Sequence, residues 1–124
     1  MPRNMNSKKI KWLKEPQEHD YPASRSYLML TMSVEAAIST VKQLQAASVE
    51  TFKAKDIFRA SGLSLLGVSN SHVKKNTKKV NAGTALSPIL LVRDGQRVII
   101  ADGYHRLCAV YGFNEDAEIP CKLV

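Results

Sequence analysis

The sequence predicts a small α/β domain of the α+β kind, in which a mixed β-sheet is flanked by helices. Three observations predict it: an amphipathic helical stripe near the start of the domain, an apolar hairpin in the last third, and a helix opened by glycine where the hairpin ends. At 124 residues, with 44% hydrophobic and 23% charged side chains, the chain can build one ordinary core.

Residues 1–27 are expected to form a basic, mobile arm. Arg3, Lys8, Lys9, Lys11 and Lys14 stand there without an acid before Glu15, a composition that buries too little apolar surface to order itself. Residues 28–124 make up the domain. Ser33 caps a helix over 34–47 in which Val34, Ala37, Ile38, Val41 and Leu44 share one face, with Glu35 in the first turn. Residues 49–53 alternate weakly as a short strand, and 55–60 read as a short helix stopped by Gly62. A loop follows over 63–69. Ser71 is the expected cap of a helix over 72–81, with Val73, Thr77 and Val80 on one side, Lys74, Lys75, Lys78 and Lys79 around the other, and Gly83 just past its end. Pro88 favours an extended Ser87, and Asp94-Gly95 between two apolar runs signals a hairpin turn. A helix over 104–112 turns Leu107, Val110 and Tyr111 inward, and 119–124 form a last strand.

The net charge of +7 is uneven. Between Lys53 and Arg93, eight cations face the single acid Asp56, which places a positive patch in the middle of the chain. Such a patch suits nucleotide or nucleic-acid phosphates, although a lysine-rich face is also the ordinary way to solvate a helix. Cys108 and Cys121 are too few for a zinc cluster or a disulfide framework and are expected as reduced core residues. No apolar run is long enough to cross a bilayer, and the amino end lacks a secretory signal, so no membrane partner and a cytoplasmic location are expected.

Asp102-Gly103-Tyr104-His105-Arg106, between a strand and a helix, carries the chemistry. The first N–H groups of a helix attract anions, Gly103 lets a ligand approach the backbone, and a guanidinium such as Arg106 grips phosphate bidentately. Arg106 can instead pair with a nearby acid such as Asp102. Asp102 suits an N-cap, a metal ligand or a general base, and His105 suits a structural role or a phosphate donor. Asn70 and His72, where a loop enters the lysine helix, can cap that helix or join the site. No Walker motif, dinucleotide fingerprint, metal-ligand spacing or paired carboxylates are present.

Ser87-Pro88-Ile89-Leu90-Leu91-Val92, the hairpin, Asp102 to Ala109, and Ile119-Pro120-Cys121-Lys122-Leu123-Val124 resemble the core of the ParB/sulfiredoxin superfamily over residues 72–124. That resemblance implies a ParB/sulfiredoxin-like fold and a phosphate site at the G-x-x-R segment. Its branches differ. Sulfiredoxins repair peroxiredoxins through the cysteine of G-G-C-H-R, where this chain has Tyr104, so that repair is not expected. ParB proteins bind CTP and read DNA through a following helical domain, which is not expected in a sequence running to Val124. Free-serine kinases carry Asp-Gly-His-Thr-Arg, the nearest pattern, but their catalytic acid has no evident counterpart.

The expectation is thus a stand-alone module binding a nucleotide or other phosphorylated small molecule through Gly103, Tyr104, His105 and Arg106. Asp102 and His105 are its catalytic candidates, and ATP or CTP with magnesium is its candidate cofactor. Alternatives are a nucleic-acid accessory using His72, Lys74, Lys75, Lys78 and Lys79, or a regulatory scaffold that binds a protein.

Overall fold

The computed structural model describes residues 9–67 and 70–124. Its elements are α1 (Asp20–Leu28), α2 (Val34–Ala46), β1 (Glu50–Lys53), α3 (Ala54–Ser61), α4 (Ser71–Asn81), β2 (Ile89–Asp94), β3 (Arg97–Asp102), α5 (Tyr104–Phe113) and β4 (Glu118–Leu123). The four strands form one mixed sheet in the order β1-β4-β2-β3. β4 runs antiparallel to β1 and parallel to β2, and β2 runs antiparallel to β3.

Both faces of this sheet are covered, which explains the unbroken apolar run of β2. Ile89 and Leu91 point to one side, into a core with Ile57, Val73, Leu107 and Ile119 from α3, α4, α5 and β4. Leu90 and Val92 point to the other, against Leu28 of α1 and Ala37, Val41 and Leu44 of α2. The α+β class with a mixed sheet is therefore as the sequence predicts.

Three local features differ from expectation. The hairpin turn is Gly95-Gln96 rather than Asp94-Gly95, because Asp94 still pairs with Arg97. Gly95 takes φ 65° at the first turn position, the backbone that a tight two-residue loop requires. Asn70, which the sequence offered as a cap or a site residue, caps α4 in place of Ser71: its Oδ1 accepts from the amides of His72 at 3.0 Å and Val73 at 3.2 Å. Asn70→Ala is expected to cost about 1 kcal/mol, read as a lower denaturant midpoint at unchanged slope.

The third difference is the arm. Residues 1–8 lie outside the described residues, but from Lys9 onward the expected arm is joined to the domain. Leu13 N donates to Leu86 O at 2.8 Å and Leu86 N to Lys11 O at 2.8 Å, in a bridge that seats Trp12 beside Leu86. α1 then buries Tyr21 and Leu28. The boundary drawn at residue 27 cuts through this helix, whose apolar face supplies part of the second core.

On β4, Lys122 is only 2% exposed. Its Nζ donates to Gln45 O at 3.1 Å, pairs with Glu15 at 3.2 Å and lies 5.6 Å from the centre of the Tyr21 ring. Burial opposes the ammonium charge, yet Tyr21 and Glu15 outweigh it and hold the pKa above its usual value. Cys108 and Cys121 are buried free thiols, and burial pushes Cys121 up to about 12. Among the described residues no helix is long and apolar enough to cross a membrane.

Candidate functional site

β3 delivers Asp102 to the end of the sheet, and Gly103 turns the chain into α5 with φ 110°, a conformation side chains strongly disfavour. Arg106, one helical turn later, folds back over that turn. Its Nε donates to Ser87 O at 3.0 Å, and its Nη2 donates to Pro88 O at 3.3 Å and Asp102 Oδ2 at 3.0 Å. Both members of the ion pair are largely shielded, with 17% and 18% of their side chains exposed.

This corrects one expectation and bears on another. Asp102 does not cap α5, which starts at Gly103 without any side-chain cap; its carboxylate is Arg106's counter-ion. Arg106, expected to grip phosphate or to pair with an acid such as Asp102, directs its Nε and Nη2 to the protein. A Cβ on Gly103 would lie 2.9 Å from Arg106 Nη2 and 2.9 Å from Ile89 Cγ1, so the space beside Gly103 is already filled. Burial raises the Asp102 pKa against the opposing pull of Arg106, with nearby Asp20 adding to the rise.

The network continues beyond what the sequence suggested. Ser87, whose carbonyl accepts from Arg106, donates its hydroxyl to Asp20 Oδ2. Asp20 is 3% exposed and also accepts from Gln17 N at 2.9 Å, while His19 Nε2 lies 3.4 Å from its Oδ1. Thus His19, Asp20, Ser87, Arg106 and Asp102 link α1, the entry to β2, and α5. No local pattern signals a contact between residues 67 positions apart.

The remaining candidates meet where α5 begins. α4 and α5 start at the same end: the rings of His72 and His105 lie 4.8 Å apart, and farther along Val73 and Thr77 share a cavity of about 250 Å³ with Cys108, Ala109 and Phe113. Tyr104 packs 5.5 Å from His105 and donates its hydroxyl to Ser64 O, while Leu66 N donates to Cys108 Sγ at 3.5 Å. These bonds hold the loop after α3 against α5. Among the described residues nothing bonds to the amides of Tyr104, His105 or Arg106, and the first α5 bond runs from Leu107 N to Gly103 O at 2.9 Å.

Burial, then repulsion from His72, lowers the His105 pKa. Below about pH 6.5 the unfolded chain therefore takes up a proton that the folded one resists, so stability falls as the solution is acidified through that range. Thermal melts between about pH 7.5 and 5.5 should show this loss, and His72→Gln should shrink it by removing the second imidazole.

Lys74, Lys75, Lys78 and Lys79 are exposed on α4 and form no ion pair among the described residues. Lys75 follows His72 by three residues and so shares its helical stripe. Lys11 extends the positive surface past the end of α4, its Nζ 3.8 Å from where a Gly83 Cβ would sit. No family model matches this sequence, and neither a curated protein nor a solved structure matches it.

Proposed function

We propose that this protein is a ParB/sulfiredoxin-like module that binds a nucleotide or another phosphorylated small molecule at the shared starting end of α4 and α5. The observation carrying this reading is the meeting of His72 and His105, 4.8 Å apart, beside the uncapped amides of α5. A phosphate there accepts from the amides of Tyr104 and His105 and from an imidazole N–H, with Lys75 within reach along the same stripe. Its negative charge favours the imidazolium form, so affinity rises as the pH falls toward 6.

Arg106 enters as the strut that fixes the turn at Gly103, not as a ligand. Asp102 is engaged with that strut, which leaves His105 as the side chain best placed to move a proton if phosphotransfer occurs. Binding is measured by thermal shift with pyrophosphate, ATP and CTP, each with and without magnesium. A ligand at a hundredfold excess over its Kd should stabilise wild type by about 2.7 kcal/mol. His105→Ala and Lys75→Ala should abolish most of the gain. A wild type indifferent to every one of these ligands would overturn the reading, and nucleotide turnover in the same samples separates an enzyme from a binding module.

A second reading is favoured by one specific observation, the lysine face of α4. Lys74 with Lys78, and Lys75 with Lys79, are like-charged pairs four residues apart, each of which costs an isolated helix about 0.2–0.5 kcal/mol. A polyanion removes that cost. On this reading a nucleic-acid backbone lies along α4 with Lys11 at its far end, and four phosphate contacts give a log Kobs against log salt slope of about −3 to −4. Fluorescence anisotropy with labelled single and double strands measures it; a flat salt dependence, or binding unchanged when all four lysines become glutamine, removes this reading.

A further inference from the structure

Seven large apolar side chains are exposed among the described residues, and five of them, Tyr27, Met29, Leu30, Val34 and Ile38, fall between residues 27 and 38. Leu30 is the extreme, at 83% exposure. They occupy the end of α1, the connecting turn and the outer face of α2, and so form the tip of a helical hairpin. Apolar exposure concentrated in one segment marks an interaction site more often than scattered single residues do.

The charge pattern says what covers it. Between Arg25 and Lys42 the only charged side chain is Glu35, in a chain of net charge +7. Away from the tip, toward the start of α1, the two helices leave a cleft of about 170 Å³ lined by Tyr21, Arg25, Ile38, Val41 and Lys42. Arg25, Glu35 and Lys42 are exposed and form no ion pair among the described residues. The hairpin therefore carries a protruding leucine, a hole large enough for it, an unpaired acid and two unpaired cations. A two-fold interface requires both halves of each contact on one surface. The lysines of α4 sit across the sheet from this tip, so their mutual repulsion does not oppose pairing there, and an anionic lipid surface would draw the opposite face.

We propose that the hairpin of α1 and α2 is a self-docking surface. In a two-fold dimer, Leu30 of each copy enters the cleft of the other, and Glu35 of each copy faces the other's Arg25 and Lys42. Sedimentation of the full chain at about 150 mM salt, over about 1 to 500 µM, tests this. The expected result is a concentration-dependent dimer. Leu30→Glu should raise its Kd at least about tenfold with an unchanged circular dichroism spectrum. Glu35→Lys should also weaken it, and combining it with Arg25→Glu and Lys42→Glu should recover affinity. A wild type that stays monomeric throughout, or a Leu30→Glu variant that dimerises as well as wild type, overturns the proposal. Leu30-dependent co-flotation with vesicles of about three parts phosphatidylcholine to one part phosphatidylglycerol, without dimerisation, overturns it in favour of a lipid surface.

Discussion

Arg106→Ala is expected to destabilise the protein by about 3 kcal/mol, seen as a fall in Tm of roughly 10 °C for a domain of this size. Three protein acceptors lose their donor at once: Ser87 O, Pro88 O and Asp102 Oδ2. The carboxylate matters most, because it stays shielded after its counter-ion is gone. A buried pair contributes little compared with an apolar replacement of equal volume, whereas removing one member leaves an uncompensated charge. Asp102→Ala in the Arg106→Ala background should therefore recover part of the loss, and a double-mutant cycle should return a coupling of at least about 1 kcal/mol. Near-wild-type stability for Arg106→Ala would show the guanidinium to be dispensable as a strut and would return it to the list of phosphate donors.

Gly103→Ala should be comparably damaging, at about 2 to 6 kcal/mol. Two costs combine. A side chain at φ 110° is strained by about 1–3 kcal/mol. The new Cβ also lands 2.9 Å from Ile89 Cγ1 and 2.9 Å from Arg106 Nη2, and overpacking of this kind costs about 1–3 kcal/mol. Arg106 can swing aside, at the expense of its ion pair, but Ile89 is fully buried in β2 and cannot. Chemical denaturation measures the loss. A tolerated alanine would mean that the turn into α5 has another accessible path.

These expectations show where sequence reading succeeds and where it fails. α2 was legible because Ser33 and the stripe from Ala37 to Leu44 are local signals that agree. The hairpin and the glycine-opened start of α5 were legible for the same reason, to within one residue at the turn. α1 was hidden: Pro22, Ser24 and Ser26 interrupt its apolar pattern, and its N-cap His19 makes no side-chain cap bond. Tertiary burial of Tyr21 and Leu28 orders it instead.

The site was legible as a place but not as a set of bonds. Asp102 and Arg106 are four residues apart on the approach to a helix, a spacing that allows an internal ion pair as readily as a phosphate grip. What decides between them is the position of the Ser87 and Pro88 carbonyls, which only the assembled sheet supplies. The juxtaposition of His72 and His105 likewise depends on how α4 lies against α5. The burial of Lys122 leaves no local signal either, because Gln45, Glu15 and Tyr21, which surround it, come together only in the assembled fold.

β4, the last of these elements to leave the ribosome, lies between β1 and β2 in the finished sheet. Until it emerges, β1 has no strand to pair with, and the hairpin of β2 and β3 lacks its parallel neighbour. Vectorial synthesis therefore holds the nascent chain in an open form that exposes the aliphatic edge of Ile89, Leu90 and Leu91. Closure is a single insertion, which makes the interval before β4 emerges the moment at which these strands are most vulnerable to aggregation and to chaperone capture.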